Sequence, residues 1–153
     1  MWYMTIISYR HKRRIAAPAD RVWALTADVE GLPALTPTMT DVQRLDDRPL
    51  AVGSRVSITQ PRSRARTWTV ETLDPPRLMV WSTTVGRVRM TARHVITPDG
   101  EGCTNELGID LEGPGARLMA LLFGRSLRGV LEQENEGFAV AAEAHGRDRH
   151  GSR

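Results

Sequence analysis

Cysteine is almost absent from this chain of 153 residues: Cys103 stands alone. An internal disulfide is therefore excluded, and with it the stapled scaffolds of small secreted domains, so nothing points to an oxidising compartment. Lysine is as scarce, with Lys12 the only one, and arginine carries the basic side of a net charge of +3. No run of like charge exceeds His11-Lys12-Arg13-Arg14. A bias that mild does not mark a nucleic-acid binder. Long apolar runs are missing too. The patch from Met1 to Tyr9 is too short and too polar for a secretory core or a membrane span, so a soluble cytoplasmic protein is the expectation. No phosphate loop, dinucleotide fingerprint or serine elbow occurs, and no two histidines or cysteines fall at metal-ligand spacing. Neither a metal nor a nucleotide cofactor is expected.

With 41% hydrophobic residues, the chain can bury one good core but not two. Residues 1–145 read as a single domain. Residues 146–153 have nothing to bury and read as a disordered tail. The clearest local signal lies in Ile15-Ala16-Ala17-Pro18-Ala19-Asp20-Arg21-Val22-Trp23. Ala17 precedes a proline and is pushed away from helical angles, whereas Pro18 has φ pre-set for a first helical turn. The period should change there, from an extended segment over 3–15 to a helix carrying Val22, Trp23 and Leu25. Pro33 and Pro37 confine the segment after Gly31 to a turn or a very short helix.

Six further extended segments follow, over 39–46, 54–60, 65–73, 78–85, 87–97 and 104–112. Their short, turn-rich connections imply an antiparallel meander. Alternation places Val88, Met90, Ala92, His94 and Ile96 on one face, opposite Arg87, Arg89, Thr91 and Arg93; Leu107, Ile109 and Leu111 likewise oppose Glu106, Gly108, Asp110 and Glu112. One face is buried and one is wet. The cover for the buried face is the helix-period segment from Gly115 to Ala144, with Leu118, Leu121, Leu122, Leu131, Phe138 and Ala142 near one side and a Glu-rich solvated side from 132 to 143. The fold class is α+β. Gly124 is expected to bend or break that helix.

The Ile15-to-Trp23 phrase, Pro75-Pro76 and the long amphipathic carboxyl-terminal helix together resemble the START-like polyketide cyclase/dehydrase and lipid-transport superfamily, also called SRPBCC, over residues 5–144. The resemblance implies a helix-grip fold: a curved antiparallel sheet of about seven strands around the last helix, with two short helices after the first strand. It also implies an apolar cavity between sheet and helix. The candidate lining is then Leu32 and Leu35 at the mouth; Trp68, Trp81, Met90, His94, Ile109 and Leu111 from the sheet; and Leu118, Leu122, Leu131, Asn135 and Phe138 from the helix. Such a cavity implies binding or transport of a small hydrophobic molecule, such as a lipid, a quinone or a polyketide-like compound.

Several positions admit two readings. Trp68 faces the cavity only if Thr67, Thr69 and Glu71 face away; the reverse would give the pocket an acid. His94, the titratable residue that alternation puts on an apolar face, is either a satisfied core histidine or a polar anchor or general acid/base. Asn135 either looks into the cavity or lies one helical column aside. His11 reads as a surface residue. The resemblance also allows a polyketide aromatase/cyclase or dehydratase. In those cyclases an inward strand carries an aromatic, a small hydroxyl residue and an arginine alternately, and here the matching positions hold Thr67, Thr69 and Glu71. That departure leaves only His94 as a catalytic candidate. A third reading is a protein-interaction module using a basic outer stripe of Arg62, Arg64, Arg66, Arg87, Arg89 and Arg93. A homodimer is compatible with all three.

Overall fold

The structure, a computed structural model, describes residues 5–148. Strand β1 (Ile6–Ile15) leads into helix α1 (Ala19–Ala27), a 3-10 turn (Val29–Gly31) and the one-turn helix α2 (Leu32–Leu35). Six strands then run in sequence: β2 (Asp41–Arg44), β3 (Arg55–Thr59), β4 (Arg66–Asp74), β5 (Leu78–Val85), β6 (Val88–Asp99) and β7 (Gly102–Glu112). Helix α3 (Ala116–Asp148) closes the chain. Three residues assigned to the tail are thus helical, and 149–153 lies outside the described residues.

The strand-to-helix switch falls where expected, one residue displaced. Pro18 keeps an extended ψ of 148° and acts as the N-cap, with its carbonyl accepting from the Arg21 amide at 3.1 Å. From β2 to β7 each strand pairs antiparallel with its neighbour in sequence, giving the order β1-β7-β6-β5-β4-β3-β2. β1 returns to pair with β7 along its whole length, from Ile6 opposite Glu112 to Ile15 opposite Cys103. Cys103, just outside the segment expected over 104–112, is therefore a buried strand residue. The β6–β7 hairpin closes on Asp99 opposite Gly102, with Gly100 at φ +62°, a left-handed angle that a residue with a side chain rarely takes.

A bulge in β4 decides which residues point inward. Val70 pairs with Trp81, but Thr72 pairs with Val80, so Glu71 is the extra residue between them. Trp68 and Val70 therefore face the core before the bulge and Leu73, opposite the buried Met79, faces it after. Thr67, Thr69 and Glu71 lie on the outer side, where Glu71 accepts a 2.7 Å hydrogen bond from Ser82. The reading that gave the cavity an acid at Glu71 is thereby corrected.

Helix α3 rests mainly on β1 and β7, at one side of the curved sheet. It does not break at Gly124. That glycine passes under Tyr9, whose hydroxyl would lie 3.0 Å from an added Cβ, so it serves close packing within a continuous helix. Gly137 meets a tighter constraint, because an added Cβ would stand 2.1 Å from the Leu35 carbonyl oxygen. The carboxyl half of α3 can thus lie directly against α2.

Asn135 fastens helix to sheet. Its amide nitrogen donates to the carbonyls of Asn105 at 3.0 Å and His11 at 3.1 Å and sits 3.0 Å from His11 Nδ1, while its oxygen accepts from Asn105 Nδ2 at 3.0 Å. It is fully buried in a polar clamp rather than in a cavity, and His11 is half-buried beside it rather than on the surface. Asn135→Ala strands these partners without water. It is expected to lower stability by about 2 kcal/mol, read from denaturant midpoints at unchanged slope.

Candidate functional site

Because α3 covers only one side of the sheet, the concave face of β3 to β6 needs another filling. Part of it is aromatic. Trp68 and Trp81 lie with ring centroids 6.0 Å apart, Trp81 meets His94 edge-on at 6.0 Å, and His94 meets Phe138 of α3 edge-on at 5.9 Å. Beside this row is an inner chamber of about 60 Å³, walled by Trp68, Trp81, Met90, His94, Ile109 and Leu131, with Ala92 and Glu134. It adjoins a wider cleft of about 500 Å³, and Gln60, Met90, Leu127 and Val130 belong to the walls of both. The cleft opens between the amino half of α3, at Met119 and Phe123, and the β3–β4 loop, at Pro61 and Ser63, with Arg66 at the start of β4.

Six of the expected lining residues therefore come together: Trp68, Trp81, Met90, His94, Ile109 and Leu131. Phe138 reaches the site indirectly, by bracing His94. The others lie elsewhere, each for a physical reason. Leu32, which opens α2, is buried in the core, Leu35 carries its carbonyl against Gly137, and Leu111 is fully buried in the sheet core. Asn135 is taken up by its clamp. Leu118 and Leu122 are 59% and 63% exposed, because they stand on the side of α3 opposite Leu131 and Phe138, while Ala116, Met119 and Ala120 of the same turns face the core.

Glu134 was missed, being grouped with the solvated acids of α3. Its position carried a signal all the same: it lies three residues after Leu131 and four before Phe138, on the column of the buried residues. Burial lifts its carboxyl from 4.5 to about 7, although Thr38 works against this by donating a 2.9 Å hydrogen bond. Thr38 is in turn held by Thr36, hydroxyl to hydroxyl at 2.9 Å.

His94 is shifted the opposite way. Burial lowers its imidazole from 6.5 to about 4, and its Nδ1 is enclosed without a hydrogen-bond partner. The guanidinium of Arg93, whose residue borders the chamber, binds Asp110 on the outer face at 3.2 Å. At neutral pH the chamber thus offers a neutral imidazole and a carboxyl near half-protonation. Such a pair can hydrogen-bond a hydroxyl or a carbonyl and can exchange a proton with it.

The outer face does not form the expected basic stripe. β5 lies between β4 and β6, and acids interrupt the arginines: Arg89 pairs with Glu71 across β5, and Asp110 binds both Arg93 and Arg10. Burial alone would raise the Asp110 carboxyl, but the Ser8 hydroxyl and these two guanidiniums hold it below its usual range. Among the described residues no group of histidines, cysteines or acids is placed to hold a metal ion, and no helix is long and apolar enough to cross a membrane.

The fold has counterparts in solved structures. The chain superposes on norcoclaurine synthase from Thalictrum flavum in complex with dopamine and hydroxybenzaldehyde at a TM-score of 0.73, with 14% identity over 93% of this chain and 89% of that one. It superposes on the di-domain ARO/CYC StfQ of the steffimycin biosynthetic pathway at 0.74, with 13% identity over 92% of this chain and 52% of that one. TTHA0849 from Thermus thermophilus gives 0.73, with 20% identity over 91% of this chain and 99% of that one. These are likenesses of fold. Among curated proteins no sequence relative reaches a significant match. Residues 7–143, nearly the whole described chain, match the family of polyketide cyclase/dehydrase and lipid-transport proteins, and to that family, with its helix-grip fold, the chain belongs.

Proposed function

We propose that the protein binds a small, uncharged and largely apolar molecule in the cleft between the sheet and α3, with a hydroxyl or carbonyl of the ligand directed into the inner chamber. The observation that carries this reading is the combination at the inner end: aromatic and aliphatic walls closing on His94 and Glu134, with an imidazole nitrogen left without a partner. Apolar burial supplies the affinity and the two polar groups the orientation. Native mass spectrometry of gently purified protein is expected to show a bound apolar compound that organic extraction removes. A chain that is uniformly ligand-free, and takes up no lipid, quinone or aromatic polyketide offered to it, would contradict the reading.

A second reading, catalysis of the aromatase/cyclase or dehydratase kind, is favoured by one specific feature. Glu134 has a carboxyl poised near 7 in the same chamber as a neutral base. Similar folds occur in norcoclaurine synthase and in an ARO/CYC, which agrees with a cleft that hosts aromatic chemistry. The discriminating variant is Glu134→Gln, which keeps shape and hydrogen bonding but cannot give up a proton. Loss of turnover with binding retained supports catalysis; unaltered turnover removes Glu134 from it.

A further inference from the structure

The amino half of α3 carries a surface that the cleft does not explain. Leu118, Leu121 and Leu122 are 59%, 81% and 63% exposed. They stand with Arg125 at positions i, i+3, i+4 and i+7, so they share one face of the helix. Phe123, 53% exposed, joins that face to the cleft mouth, whose wall it also forms. Scattered exposed leucines need no explanation, but a contiguous apolar face does.

The charge around it has one sign. From Gly113 to Leu131 the chain has no acid, while Arg117, Arg125 and Arg128 project from the same helical segment. Across the cleft mouth the β3–β4 loop, which supplies Pro61 and Ser63 to the wall, also carries the exposed Arg62 and Arg64. Among the described residues neither Arg117, Arg125, Arg62 nor Arg64 lies in an ion pair with a carboxylate. On the outer sheet face, by contrast, Arg10, Arg89 and Arg93 are each matched by an acid.

We propose that this end of the molecule docks on an anionic lipid bilayer, with Leu118, Leu121, Leu122 and Phe123 entering the interface and the surrounding arginines meeting lipid phosphates, so that the cleft mouth rests on the membrane. Leucines that enter the acyl boundary beside arginines that stay at headgroup level are the arrangement of an interfacial helix. A second copy of this chain fits less well. Pairing two such helices face to face would bring their arginines together with no acid in either segment to neutralise them. The docking does not depend on which molecule the cleft holds, so it stands or falls separately from the proposed function.

The test is flotation of the full chain with vesicles of phosphatidylcholine alone or of phosphatidylcholine mixed with phosphatidylglycerol. Binding is expected to the mixed vesicles, falling at least about tenfold between about 0.1 M and about 1 M salt and at least about tenfold on pure phosphatidylcholine. The double variant Leu121→Glu, Leu122→Glu removes apolar insertion and adds repulsion, at positions already in water, and should lose about tenfold or more in affinity at an unchanged melting temperature. Arg117→Gln with Arg125→Gln should weaken binding and flatten its salt dependence. No binding to anionic vesicles, binding that the glutamate variant leaves intact, or a wild-type dimer in sedimentation that the glutamate variant dissociates would each overturn the proposal.

Discussion

Replacing Glu134 with glutamine is expected to make stability rise by about 3 kcal/mol as pH increases from about 4, where His94 titrates in the fold, to 6.5, where it titrates in the unfolded chain. The sign follows from where the two buried groups hold protons. His94 is depressed from 6.5 to about 4 in the fold, so its contribution is present above 6.5 and lost as pH falls through 4. Glu134 is raised from 4.5 to about 7, so its contribution is present below 4.5 and lost as pH rises through 7. Between 4.5 and 6.5 the folded chain holds a proton on Glu134 and the unfolded chain holds one on His94, so the two slopes cancel. The wild type should be nearly flat there as far as these groups are concerned. Glu134→Gln unmasks the histidine slope, and His94→Gln should unmask the opposite one, a fall of about 3 kcal/mol with rising pH. Denaturant midpoints of each variant minus wild type, taken across this range, remove the contribution of the surface carboxylates. Variant and wild-type curves that stay parallel would show that the two groups are not buried in these states.

Trp81→Ala is expected to cost about 3–5 kcal/mol, the largest loss among single truncations around the chamber. Trp81 is 2% exposed and touches both Trp68 and His94, so its removal frees two aromatic neighbours at once. The same change joins the lost ring volume to the inner chamber. The variant should therefore be less stable yet accept a bulkier ligand, and small aromatic compounds should raise its melting temperature by more than they raise that of the wild type. A destabilised variant with no gain in ligand response would place the ring in ordinary core.

Much of this fold was legible in the residues because local and long-range preferences agree. The period-two pattern of residues 88 to 96 put His94 inward, and the β6–β7 pairing seals that side against Leu107. Pro18 fixed the passage from strand to helix within one residue. The errors arose where a helix-wide rule met a local geometry. Leu118 and Leu122 are apolar residues of the same helix, but at 3.6 residues per turn they fall on the opposite side of α3 from Leu131 and Phe138, so their helical phase and not their hydrophobicity decides their exposure. Gly124 has low helix propensity, yet the ring of Tyr9 occupies the space a side chain would fill, so packing outweighs propensity. Glu134 was hidden by composition. Among several acids on one helix, its column alone marked it, and its buried state depends on Thr38, distant in sequence. The β4 bulge, which settles the inward position of Trp68, follows from pairing with β5 and leaves no mark in the alternation of β4 itself.

The central claim is that the space beside the aromatic row admits a ligand, and filling that space tests it most directly. Ala92 lies opposite Trp81 on the neighbouring strand and borders the inner chamber, so Ala92→Phe should occupy the chamber with a side chain. Titration with the compound recovered by native mass spectrometry, followed through the fluorescence of Trp68 and Trp81, should show saturable binding in the wild type. In a folded Ala92→Phe variant that binding should fall by at least about tenfold, the equivalent of about 1.4 kcal/mol. Equal affinity in the two proteins would contradict the account, since the ligand would then lie outside the chamber that His94 and Glu134 share.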